Sequence, residues 1–184
     1  MPLAGIQSWV STYAGMTNEE IIKFMPIKSE IKFLALDVDG VMTDGGMFYT
    51  DSGEEIKRFD TKDGRGIIEL QKSGVQVGLI SSGFRSEIID GRAKTLGIKK
   101  VYVGTEPKLG ILESWCEELS LDLSQVAYIG DDVNDRDIIK AVGFTGCPAD
   151  AMPTIKEIVD VVLTRDGGHG CIREFIEEHL GYVL

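Results

Sequence analysis

The apolar run IKFLAL (31–36) ends in two acids, Asp37 and Asp39, and a glycine-rich turn follows at once. The pattern recurs at VQVGLI (75–80), which ends in Ser81, and at VAYIG (126–130), which ends in Asp131 and Asp132. Runs this short and this apolar read as strands buried on both faces. Between and after them lie segments with helical character, 63–73, 85–97, 107–120 and 134–143, most of them closed by glycine. Strand–helix alternation of this kind leaves few folds open. It predicts an α/β, three-layer sandwich with a mostly parallel sheet. Such sheets place their sites at the carboxyl ends of strands, which is where Asp37, Asp39, Ser81 and Asp131 fall.

The remaining segments fit around that frame. GGMFYT (45–50) and EEIKRFD (54–60) flank Asp51-Ser52-Gly53 and read as a β-hairpin. KKVYVG (99–104), FTGCPA (144–149) and VVLT (161–164) read as further short strands. MPTIKEIVD (152–160) and CIREFIEEHL (171–180) read as helices. Thr17 and Glu20 suggest a capping box for a short helix in an N-terminal extension, residues 1–30. Residues 31–184 are expected to form a single domain.

Composition narrows the function. Thirty acidic residues against 19 basic ones give a formal net charge of -11, which argues against a nucleic-acid partner. The three cysteines, Cys116, Cys147 and Cys171, are widely spaced and read as reduced thiols rather than a zinc site or disulfide framework. The first residues lack the basic start and apolar run of a signal peptide, and no run is apolar enough to span a membrane. A cytoplasmic protein with no membrane partner is expected.

Four groups fall at the predicted sheet edge, and each has a second reading. Asp37 and Asp39 suit a shared Mg²⁺ or divided nucleophile and acid/base roles; an Asp-x-Asp also makes an Asx turn or a helix cap. Ser81 and Ser82 offer hydroxyls to phosphate oxygens, or cap the helix that follows. Lys108, at a helix N-terminus where cations are disfavoured, meets either an anionic ligand or solvent. Asp131 and Asp132, with Asn134 and Asp135, form an oxygen-rich loop suited to a hard cation; capping explains Asp132 or Asn134 but not the whole group. Together, acids that repel one another beside a hydroxyl and a lysine favour phosphoryl chemistry around Mg²⁺.

In that order, DVDGVMTD (37–44), LIS (79–81), the lysine of PKL (107–109) and GDDVND (130–135) resemble the four motifs of the haloacid dehalogenase superfamily. The resemblance implies a Rossmann-like sandwich in which Asp37 is the nucleophile and Asp39 the general acid/base. It implies that Ser81 and Lys108 position the phosphoryl group. Asp131 would bind Mg²⁺ with Asp37 and the backbone carbonyl of Asp39, while Asp132, Asn134 and Asp135 support the loop. No large insertion lies between Asp39 and Ser81 or between Lys108 and Asp131, so a β-hairpin at about 45–60 stands in place of a large cap.

The segments 44–67, 127–135 and 167–175 are similar to the capless 3-deoxy-sugar-acid phosphatases. That family implies a small sugar-acid phosphate substrate and a homotetramer whose hairpins pack across subunits. It implies substrate contact around Lys62, Asp63 and Gly64 and in the C-terminal glycine loop. Lys62, Arg65, Arg85 and His169 are candidates to meet the substrate carboxylate or are solvated surface groups, and Asp63 either binds hydroxyls or caps its helix. Two departures bear on the substrate: SSGFR (81–85) stands where octulosonate phosphatases often have Thr-Gly-Arg, and GGHG (167–170) where they often have Gly-Gly-Arg-Gly. The first expectation is 3-deoxy-D-manno-octulosonate 8-phosphate. A nine-carbon 2-keto-3-deoxy sugar-acid 9-phosphate, toward which GGMFY leans, is the alternative. A catalytically inactive oligomerising module is the reading from another class.

Overall fold

The computed structural model describes residues 30–83 and 86–182. The Thr17 capping box and Arg85 lie outside the described residues. Six parallel strands form the main sheet: β1 (Phe33–Leu36), β4 (Gln76–Ser81), β5 (Lys100–Val103), β6 (Val126–Ile129), β7 (Phe144–Cys147) and β8 (Val161–Val162). Their order is β5-β4-β1-β6-β7-β8. The chain leaves β1 toward β4 on one side and returns to β6 on the other. The sheet therefore has its topological switch point beside β1, where the carboxyl ends of three strands open a crevice.

Alternating side chains divide the core into two layers. Leu34, Leu36, Val77, Leu79, Ala127 and Ile129 face α1 (Thr61–Lys72), α2 (Ser86–Leu96) and α6 (Cys171–Glu174). Phe33, Ala35, Ile80, Val126 and Tyr128 face α3 (Lys108–Leu119), α4 (Arg136–Ala141) and α5 (Pro153–Lys156). Strands covered on both faces explain why their sequences read as continuous apolar runs. Gly78 is where the second layer comes closest: a Cβ there would meet Phe33 and Trp115 at 2.7 and 2.8 Å.

Several elements are shorter than their patterns suggest. The hairpin pairs only β2 (Phe48–Tyr49) with β3 (Glu55–Ile56), since the flanking glycines and charges leave the ladder. The 134–143 segment opens as a 3₁₀ turn, Val133–Asp135, before α4 begins. The last apolar segment is α-helical over α6 and then π-helical over Phe175–His179. Helix α1 starts two residues before its pattern because Asp60 caps it, accepting from the backbone N–H groups of Lys62 and Asp63.

Candidate active site

Three strand ends supply the site. Beyond β1 lie Asp37 and Asp39, β4 ends in Ser81, and the loop after β6 carries Asp131, Asp132, Asn134 and Asp135. Asp37, Asp39, Ser81, Asp131 and Asn134 line one cavity of about 520 Å³, whose far wall is the hairpin, with Met47, Tyr49, Glu55 and Lys57.

Beneath the cavity is a buried charged network. Lys108 Nζ donates to Asp135 Oδ1 at 2.6 Å and lies 2.9 Å from Asp37 Oδ1. The Tyr128 hydroxyl donates to the same Asp135 oxygen at 2.6 Å. The other oxygen of Asp135 accepts from the backbone N–H of Asp131 at 2.9 Å and of Asp132 at 3.3 Å. Both oxygens of Asp135 are thus engaged. Lys108 is buried rather than solvated, and two carboxylates hold this cation at its helix N-terminus. Burial alone would depress its pKa, but Asp37 and Asp135 outweigh it and the pKa is raised.

The acids crowd each other. Asp37, Asp131 and Asp135 bring carboxylate oxygens within 4.8 Å of one another. Burial, then repulsion from Asp135, raises Asp37 well above the usual carboxylate range, against the pull of Lys108. Burial and the same neighbour push Asp131 up to about 7. Asp131 Oδ1 is buried with no hydrogen-bond partner. An orphaned acceptor among like charges fits a divalent cation, which would relieve both defects at once. Asp131 and Asp37 are the groups suited to hold it. Gly40 keeps this space open: it has φ +90°, and a Cβ there would stand 2.1 Å from Asp131 Oδ2.

The supporting groups fall into place around this floor. Asp132 caps the 3₁₀ turn through Val133 N–H, and the Asn134 amide donates to the Ser82 hydroxyl at 3.1 Å, joining two loops. Ser81 is buried, with its oxygen accepting from Gly83 N–H at 3.1 Å. The Asp39 carboxylate is not part of the acid cluster. Its Oδ1 accepts from Lys57 Nζ at 2.6 Å.

The α1 residues expected to contact substrate lie apart from this cavity. Asp63 is buried and accepts from the backbone N–H groups of Gly170 (3.1 Å) and Arg173 (2.8 Å). A carboxylate so engaged ties α1 to α6, and Asp63 is not among the residues that line the cavity. Gly64 is buried against the Arg92 guanidinium. Lys62 is exposed and, like Arg65, lies outside the cavity wall; Arg65 pairs with Glu69. His169 is also outside that wall. Its Nδ1 donates to the Gly167 carbonyl at 2.8 Å, leaving Nε2 to accept from Arg58 at 3.3 Å.

Two participants were not anticipated from sequence. Tyr128 sits inside an apolar strand, where only the need of a buried hydroxyl for a partner could have flagged it. Lys57 lies beyond the hairpin turn; Glu55 and Lys57, two apart, share a face, and that spacing was the available signal.

A family model for haloacid dehalogenase-like hydrolases matches residues 59–143. The chain is 36% identical over 167 residues to the 3-deoxy-D-manno-octulosonate 8-phosphate phosphatase of Yersinia pestis, covering 91% of this chain and 87% of that one. The Moraxella catarrhalis 3-deoxy-D-manno-octulosonate 8-phosphate phosphatase, solved with magnesium, phosphate and KDO, is 34% identical with a TM-score of 0.81, covering 89% of this chain and 92% of the other. The cobalt-bound deoxy-D-mannose-octulosonate 8-phosphate phosphatase of Haemophilus influenzae is 37% identical with a TM-score of 0.79, covering 83% and 89%. Switch-point sheet, acid cluster and buried lysine are those of a phosphatase of the haloacid dehalogenase superfamily. Within it, the chain belongs to the capless 3-deoxy-D-manno-octulosonate 8-phosphate phosphatase family. The inactive-module reading is thereby set aside.

Proposed function

We propose that the chain hydrolyses a 3-deoxy sugar-acid phosphate with Mg²⁺, foremost 3-deoxy-D-manno-octulosonate 8-phosphate, through an aspartyl-phosphate on Asp37. The observation that carries this reading is the convergence of Asp37 and Asp131 on the cavity floor, with Lys108 locked behind them. Bound Mg²⁺ would supply charge neutralisation for the acids and for the phosphate oxygens. Asp37 Oδ1 is held by Lys108 and by Val38 N–H, so attack on phosphorus comes from Oδ2. As that O–P bond forms, the ester O–P bond breaks and Asp39 gives its proton to the leaving alkoxide. Asp39 then takes a proton from water as it attacks phosphorus and frees Asp37. Ser81, with Ser82 at the rim, donates hydroxyls to the phosphate oxygens.

Residues 31–184 would act as one capless domain, with 1–30 as an extension. The hairpin exposes Phe48 and Ile56, 55% and 54% accessible, on the face opposite the cavity wall. Apolar groups displayed this way suit a homotetramer in which a neighbour's hairpin closes the cavity. Among the described residues no helix is long and apolar enough to cross a membrane, and the buried free thiols suit a cytoplasmic setting.

One observation favours a nine-carbon 2-keto-3-deoxy sugar-acid 9-phosphate instead: Met47 and Tyr49 of GGMFY line the cavity, while position 169 holds histidine. Phosphate release from both esters, with Mg²⁺ and with chelator, decides. The octulosonate ester should give the higher kcat/KM, and chelator should abolish turnover. Faster turnover of the nine-carbon ester overturns the substrate, and chelator-resistant turnover of both overturns the mechanism.

A further inference from the structure

The hairpin does more than wall the cavity. Lys57, just past β3, has a side chain only 5% exposed, and its ammonium meets Asp39 Oδ1 at 2.6 Å and Glu55 Oε1 at 2.7 Å. The Thr43 hydroxyl approaches the same Asp39 oxygen at 3.5 Å. The second oxygen, Oδ2, faces the end of β4: a Cβ on Gly83 would stand 3.9 Å from it and 3.2 Å from Ser81 Oγ.

We propose that Lys57 is a positioning residue for Asp39, pinning one carboxylate oxygen so that the other delivers and receives the proton at the leaving group. The proposal rests on the reading of Asp39 as general acid and base. An ammonium has donors only. The pinned oxygen must therefore remain an acceptor, and a transferable proton resides on Oδ2, on the Ser81 side of the cavity. Proton transfer needs the donor within hydrogen-bond reach of the ester oxygen, and a free carboxylate rotor loses that alignment.

Two features argue for orientation over simple stabilisation. The Asp39 side chain is 40% exposed, and ion pairs to groups that exposed contribute little to stability. Yet the lysine stem lies buried along the cavity wall and presents its head to Asp39 and to Glu55 beside it. Glu55, itself 7% exposed in its side chain, balances the ammonium. Lys57 is thereby kept from acting as a free cation for the phosphate.

The test is a double-mutant cycle on the full chain with Mg²⁺, comparing an unactivated alkyl phosphate with p-nitrophenyl phosphate. The aryl leaving group departs without a proton, and kcat/KM reports the step in which it leaves. Lys57→Met should lower kcat/KM for the alkyl ester by about 10–100-fold and for the aryl ester by less than about threefold. Lys57→Arg should recover most of that loss. In an Asp39→Asn background, Lys57→Met should change the alkyl value by less than about twofold. Equal losses on both esters, or an undiminished loss in the Asp39→Asn background, overturn the positioning role. Asp39→Asn alone gives the separate control: if it affects both esters equally, the acid role fails, and the positioning role with it. Circular dichroism checks the fold, and Lys57→Gln replaces the methionine variant should that one not fold.

Discussion

Lys108 and Asp37 form an ion pair at 2.9 Å with side chains only 2% and 7% exposed. Asp135, fully buried, holds the same ammonium at 2.6 Å. The lysine thus serves two carboxylates that repel each other, and removing it leaves both unpaired in a site shielded from water. Lys108→Met should destabilise the fold by about 3–5 kcal/mol, measured by urea unfolding, and abolish detectable turnover. Asp37→Asn should behave differently. It removes a repelling charge from a crowded site, so the fold should persist while phosphate release falls by at least about 10³-fold. Near-normal turnover in Asp37→Asn would reject Asp37 as nucleophile.

Metal binding and pH are linked through Asp131. Its folded pKa of about 7 lies above the ordinary 3.8, so the folded state holds its proton more tightly than the unfolded chain. The contribution of Asp131 to stability without metal is then greatest below about 4 and falls as pH rises toward 7. Asp63, raised to about 6 by burial, adds to the fall over a narrower range. With chelator, the unfolding midpoint should drop between pH 5 and about 7; Mg²⁺ should restore the part due to Asp131 but not the part due to Asp63. Mg²⁺ affinity should rise over the same interval, with proton release detectable by calorimetry in buffers of different ionisation heat. A pH-independent Mg²⁺ affinity across that interval would contradict the crowded-acid account.

How much of this was legible in sequence depends on whether a residue's partner lay nearby. Asp37, Asp39 and Asp131 follow directly from apolar strands, so alternation and the strand-end rule located them without any contact information. Asp132 as a cap was also a local reading. The tie that Asp63 makes left no local signal, because its partners, Gly170 and Arg173, lie over a hundred positions on. Lys57 and Tyr128 were missed because their roles are made by folding: Lys57 acts through a hairpin laid over the cavity, hinted at only by its two-residue spacing from Glu55, and Tyr128 through a hydroxyl directed at Asp135 from within an apolar strand.

Asp63 offers a direct check on the role of that long-range tie. Asp63→Ala leaves one buried and one part-buried backbone N–H group, of Gly170 and Arg173, without the acceptor, at a cost of about 1–3 kcal/mol for the buried one. The thermal midpoint should fall clearly, while KM for the sugar-acid phosphate should stay within about twofold at temperatures where the variant is folded. A large rise in KM with an unchanged midpoint would return Asp63 to the substrate site.

Gly40 sits where the first acidic loop passes under Asp131. Its φ of +90° already disfavours any side chain, and a methyl group would displace the Asp131 carboxylate outright, standing 2.1 Å from Oδ2. Neither Asp37 nor Lys108 need move, so the damage should fall on the cation. Gly40→Ala should weaken Mg²⁺ binding by about 10–100-fold, seen as a shifted Mg²⁺ dependence of phosphate release, with part of the rate recovered at high Mg²⁺. An unchanged Mg²⁺ dependence would mean that Asp131 does not hold the ion, and the site would have to be rebuilt around Asp37 alone.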